Sequence, residues 1–169
     1  MPLADTLLRL AASGLYLPKW TDEIMGEVSR NLAGNFGLSE KQLTYRESEM
    51  RRHFPEAWVH GYDDLVPAMT NHPKDRHVLA AAVKCNAGLI VTLNMKDFPR
   101  TALQRYSIGA AGPSTFLRDL YELDPEAVSK CIERQAASIS KPADYVLERL
   151  SVNAPGFVRF LRSAGRSGR

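Results

Sequence analysis

At 169 residues, 44% hydrophobic and 24% charged, the chain has the size and balance of one globular domain, able to bury a core without staples. No apolar run approaches membrane-spanning length and no basic-then-apolar leader precedes a cleavage site, so a cytoplasmic protein is expected. Two cysteines in unrelated contexts, Cys85 late in the helix after Asp75, favour a buried free thiol over a disulfide or metal ligand, and a net charge of +3 with a pI near 8.9 permits nucleic-acid binding without demanding it.

In chain order, Ala4 to Ser13 carries Leu7, Leu8, Leu10 and Ala11 at helical spacing, with Gly14 as its expected C-cap. Leu15 to Trp20 is short and apolar with an early proline, which predicts an edge-strand segment. Thr21 then caps a helix with Asp22 and Glu23 in its first turn and Ile24, Val28 and Leu32 at a spacing of four. Glu27 lies on that helix; taken alone it reads as a solvated acid paired with Arg30 or Arg9. Ser39 and Gln42 form a capping box for a charge-rich helix through His53, whose Arg46, Arg51 and Arg52 alternate with acids and so read as a solvated, ion-paired face. Ala57 to Val59 is a brief strand candidate, followed by a turn through Gly61, Asp63 and Asp64.

Asn71 to Pro99 is the most informative stretch. An Asn-His-Pro turn leads into Lys74 and Asp75, and a helix bears Val78, Leu79, Ala82 and Val83 on one side before Asn86 and Gly88 end it. The run Leu89-Ile90-Val91 predicts a buried parallel strand, and Thr92, Asn94 and Asp97 follow in a polar loop. In a doubly wound α/β sheet, a helix start and the end of the next strand share one rim, where ligands bind. Asp75 and Asp97, 22 positions apart in sequence, should therefore meet there and offer oxygen ligands to magnesium or manganese. The plainer alternatives are a first-turn acid and a loop acid. His72 and His77 form no zinc-ligand spacing with a third residue.

The segment KDRHVLAAAVKCNAGLIVTLNMKDFP resembles the third-acid helix and following strand of PIN-domain proteins, in particular the bacterial VapC-like toxin subgroup. Trp-Thr-Asp-Glu-Ile-Met-Gly-Glu-Val, from Trp20, resembles the helix that carries the second acid of that family. The resemblance implies a three-layer α/β/α PIN-like parallel sheet over residues 1–123, with a helical C-terminal extension at 124–169 packed on the same domain. It implies a Mg2+- or Mn2+-dependent endoribonuclease of a toxin–antitoxin pair, with Glu27, Asp75 and Asp97 as catalytic metal ligands and Asn94 assisting. Thr92, Lys74 and Arg76 are the expected substrate contacts, RNA the substrate and an antitoxin protein the partner.

Family members begin with a buried strand ending in a first catalytic aspartate, whereas this sequence starts at the loop that follows it, Pro2-Leu3-Ala4-Asp5. The expectation is a sheet without that strand, compensated by homodimerisation or a partner, or else a longer working protein. A scaffold that binds RNA or protein without cleavage is the alternative function. After Pro99 the sequence predicts a short helix at Thr101 to Tyr106, a weak strand at Ser107 to Ala111, a helix capped by Ser114 or Thr115, and three further helices begun by Pro125, Pro142 and Pro155. Arg159, Arg162, Arg166 and Arg169 make the tail basic.

Overall fold

The computed structural model describes residues 2–167, so Arg169 lies outside the described residues. It is mainly helical, with a small parallel two-stranded sheet, and compatible with an α/β fold. Two compact units divide it: Met1–Tyr16, Val91–Met95 and Ala111–Arg169 form the first, and Leu17–Ile90 with Lys96–Ala110 the second.

In the first unit, α1 (Pro2–Ala12) packs on α7 (Pro125–Ser138) and α8 (Ala143–Leu150), and α6 (Pro113–Leu123) packs on α9 (Pro155–Ser167). Leu10, Leu117, Val128, Leu150 and Phe157 are wholly buried at its centre. Helix starts follow the prolines: Pro113, Pro125 and Pro155 each occupy the first turn, where the missing N–H costs nothing. Asp124 caps α7 by accepting the Ala127 N–H at 2.8 Å. The α6 cap differs from expectation. Gly112 takes that position, and Ser114 Oγ instead accepts the Gly156 N–H at 3.1 Å, which ties α6 to the start of α9. A buried polar tie joins α1 to α7, where the Thr6 hydroxyl donates to Gln135 Oε1 at 2.6 Å and Gln135 Nε2 donates to the Pro2 carbonyl at 3.0 Å. Cys131 lies nearby as a free thiol, and burial pushes it up to about 11.

The second unit is built on α2 (Asp22–Phe36), α3 (Glu40–His53) and α4 (Arg76–Lys84), with the short α5 (Arg100–Leu103) after them. Thr21, fully buried, caps α2 by accepting the Ile24 N–H at 3.1 Å. The Ser39–Gln42 capping box opens α3 as the sequence indicates. On α3, Arg51 pairs with Asp22 and Glu47 and Arg52 with Glu49, so these arginines belong to an ion-paired surface. Leu79 and Ala80 of α4 are wholly buried among Val59, Met69, Ile90, Phe98 and Leu103. The strands expected at Leu15 to Trp20 and at Ala57 to Val59 shrink to one parallel bridge between Trp20 and Trp58. Pro18 brings no N–H to a ladder, and Pro55 opens a 3-10 turn, Pro55–Ala57, so neither segment can extend.

Strand β1 (Leu89–Val91) pairs with β2 (Gly109–Ala111) in parallel, through Gly109 N–H to Gly88 O at 2.9 Å and Thr92 N–H to Ala111 O at 3.0 Å. The sequence predicts a buried strand at β1; in the structure only Ile90 of it is buried, while Leu89 and Val91 are exposed. Alternate side chains of a strand point to opposite faces, so Ile90 turns into the core of the second unit and its neighbours turn away. Among the described residues, no helix is long and apolar enough to cross a membrane.

Candidate metal centre

The site grows from the Asn-His-Pro turn. A residue before proline is driven out of the helical region, and His72 accordingly holds φ −53°, ψ 131°. Pro73 then starts a 3-10 turn, Pro73–Asp75, closed by the Asp75 N–H on the His72 carbonyl at 2.9 Å. Asn71, buried, donates from Nδ2 to the Asp75 carbonyl at 3.0 Å, and Arg76 Nε donates to the Asn71 carbonyl at 3.4 Å. The turn is thereby fixed at the mouth of α4. Asp75 is the residue before the first turn of α4, yet its carboxylate makes no capping hydrogen bond. It faces Asp97 instead.

Asp97 ends a second 3-10 turn, Met95–Asp97, and buried Phe98 anchors the chain directly after it. Its carbonyl accepts the His72 N–H at 3.2 Å, joining the two turns through the backbone. As a result one ligand atom each from His72, Asp75 and Asp97 lie within 4.8 Å of one another. His72 Nδ1 stands 3.5 Å from Asp75 Oδ2. Burial and then Asp97, by charge and by a hydrogen bond between the carboxyl groups, raise the Asp75 carboxyl above its ordinary range, while the His72 and His77 rings act the other way.

These residues fit a divalent cation. Ligand atoms around an ion with bonds of about 2.1 Å stand about 3.0 Å apart when adjacent and about 4.2 Å when opposite, so three atoms gathered within 4.8 Å of one another can close on one ion. A carboxyl whose proton affinity is raised by burial and by a neighbouring carboxylate, as that of Asp75 is, is also a donor that a cation would relieve.

The other predicted residues divide as follows. Glu27 lies outside this group, with its carboxylate 3.5 Å from His77 Nε2; neither Arg30 nor Arg9 is its partner, and Arg9 pairs with Asp5. His77 is buried on α4, with Nδ1 also 3.5 Å from Glu23. Lys74 is exposed, and half-buried Arg76 is held by the Asn71 carbonyl. Thr92 and Asn94 belong to the first unit, where Thr92 Oγ1 accepts the Asn94 N–H at 3.0 Å. The sequence offers His72 only as half of a zinc pair with His77 that lacks a third ligand, and does not join it to Asp75 and Asp97. The signal that marks it is its place three residues before Asp75 and directly before a proline, which fixes its backbone.

Comparison with known proteins gives the family. Residues 113–163 match the family model described as the VapC50 C-terminal domain. A curated protein of Mycobacterium tuberculosis (strain ATCC 25618 / H37Rv), "Putative ribonuclease VapC50", is 42% identical over 115 residues, covering 66% of this chain and 68% of that one. No solved structure matches. This chain belongs to the VapC-like family of PIN-domain proteins.

Proposed function

We propose that the protein is a divalent-metal-dependent endoribonuclease acting as the toxin of a toxin–antitoxin pair. The observation that carries this reading is the convergence of the Asp75 and Asp97 carboxyl groups at the mouth of α4, in a chain whose relative is named as a ribonuclease. Asp75 and Asp97 hold the cation, Mg2+ or Mn2+, and Glu27 and Asn94 are the further oxygen donors the family resemblance supplies. The cation, when bound, sets positive charge against a phosphodiester and makes water more acidic. Asp75 and Asp97 fix its position. Exposed Lys74 offers an ammonium to the RNA backbone, and Arg76 braces the turn while presenting its charge beside it. The frame is a PIN-like three-layer core at residues 1–123 with the helical extension at 124–169, working in the cytoplasm with RNA, an antitoxin protein and a second copy of the chain as partners.

The contact of Glu27 with His77, outside the paired-acid group, favours one second reading, a scaffold that binds RNA without cutting it. Cleavage of a structured RNA by the full chain decides between them, with Mg2+, with Mn2+ and with chelator, beside Asp75→Asn. Metal-dependent cutting that Asp75→Asn abolishes supports the nuclease. RNA binding without cutting under every condition supports the scaffold.

A further inference from the structure

His72 occupies the third corner of the paired-acid group, and the chain holds it there from several directions. The following proline keeps its backbone extended. Its carbonyl is engaged by the Asp75 N–H at 2.9 Å, and its own N–H by the Asp97 carbonyl at 3.2 Å. The His72 backbone is thus tied to both aspartates, which places its imidazole beside them. Nδ1 stands 3.5 Å from Asp75 Oδ2, and the three ligand atoms fall within 4.8 Å of one another. The His72 side chain is 45% exposed and that of Asp75 30%, so the group opens to solvent on one side. A cation seated on these three donors would keep open positions for water and phosphate.

The chemistry of that donor set differs from an all-carboxylate one. Magnesium prefers oxygen in a near-octahedral shell and gives up water reluctantly. An imidazole nitrogen suits the later first-row divalent metals, and affinity at mixed nitrogen–oxygen sites rises from manganese onward along the series. We propose that His72 is a third protein ligand of the centre, making it a mixed nitrogen–oxygen site that selects Mn2+ and heavier first-row divalent ions over Mg2+. This rests on the reading that Asp75 and Asp97 hold a divalent cation, and goes beyond it in naming a nitrogen ligand and the metal class.

The test uses the full chain without any added histidine tag. Calorimetry measures Mn2+ and Mg2+ binding to the wild type, His72→Ala and Asp75→Asn, and pulsed electron paramagnetic resonance of the Mn2+-loaded protein looks for coupling to a directly bound imidazole nitrogen. The wild type should show that coupling. His72→Ala should lose it, and the preference for Mn2+ over Mg2+ should fall by about tenfold or more. Asp75→Asn should weaken both metals. If Mn2+ binds through Asp75 with no nitrogen coupling in the wild type, or with coupling and preference unchanged in His72→Ala, His72 is only an ion-pair partner and the proposal is overturned while the metal reading stands. If neither metal binds, or Asp75→Asn binds both as the wild type does, the metal reading falls and the proposal with it.

Discussion

The Nε2 of His77 lies 3.5 Å from a carboxylate oxygen of Glu27, one on α4 and the other on α2. The opposite nitrogen of the same ring lies 3.5 Å from Glu23, and neither nitrogen makes a well-formed hydrogen bond. The ring is buried, whereas both glutamates are about half exposed. Its burial between two acids keeps the Glu27 carboxylate beside the helix that Asp75 precedes.

Truncating that ring should cost more than neutralising its partners. His77→Ala removes a buried side chain and both contacts between α4 and α2, a change in the range of about 1–3 kcal/mol. Glu23→Gln alters one half-exposed contact, where solvent already screens the charge, and should cost about 1 kcal/mol or less. Urea denaturation of the two variants compares them. Equal losses would mean that the ring contributes little packing and the ion pairs dominate.

Asp75 sets a pH dependence whose sign follows from its raised proton affinity. Between the ordinary aspartate value near 3.8 and the raised one, the folded state binds more protons than the unfolded state. Stability therefore falls as pH rises through that window, and the burial and repulsion penalty persists in full above it. Asp75→Asn removes the penalty. Without divalent cation it should melt above the wild type at pH 7, and the gap should close as pH drops through the window. Added Mn2+ should raise the wild-type melting temperature by binding to the folded state, and raise that of the variant less. A variant less stable than the wild type at pH 7 without metal would show that the Asp75 charge is compensated in the native turn.

Legibility in the sequence tracked how local each signal is. The Thr21 cap, the Ser39–Gln42 box and the proline-started helices α6, α7 and α9 depend on residues within one turn of each other, so the chain declares them directly. The convergence of Asp75 with Asp97 was readable for another reason: a helix and the strand after it have one simple way to pack in an α/β unit. Strands depend on what pairs with them, and Leu15 to Trp20 and Ala57 to Val59, apolar enough on paper, find only one bridge. Ser114 looked like a cap because nothing in its neighbourhood shows that Gly156, 42 residues on, takes its hydroxyl. The grouping of His72 with the two aspartates is hidden for the same reason: the Asp97 backbone that fixes it comes from 25 positions away.

The Thr21 cap bears on the candidate site as well as on stability, because α2 carries Glu23 and Glu27. Thr21→Ala removes the acceptor for the Ile24 N–H at a fully buried position, and should destabilise by about 1–2 kcal/mol. Ser39→Ala, at the exposed cap of α3, should cost nearer 0.5–1 kcal/mol. Thermal melts of the two variants rank them. Amide exchange should show faster opening of the first turn of α2 in Thr21→Ala alone, and exchange unchanged there would place the helix start under the control of packing and not of the cap.

The buried Thr6–Gln135 pair gives a separate test of the first unit. Both side chains are nearly inaccessible, and Gln135 also satisfies the Pro2 carbonyl. Gln135→Leu leaves the Thr6 oxygen without its long-range partner and the Pro2 carbonyl without its amide donor, so a loss of about 1–3 kcal/mol is expected. The Thr6 hydroxyl retains one outlet, the Pro2 carbonyl at 2.9 Å, which should hold the loss toward the lower end. Thr6→Val alone strands the Gln135 oxygen by the same logic. The double variant Thr6→Val, Gln135→Leu replaces both polar groups with apolar ones of similar shape and should recover much of the loss. A double-mutant cycle by urea unfolding should therefore give a coupling energy of about 0.5–3 kcal/mol, with the double variant more stable than the sum of the single changes. Strict additivity would mean that water takes over the freed groups and that α1 is held to α7 by apolar contacts alone.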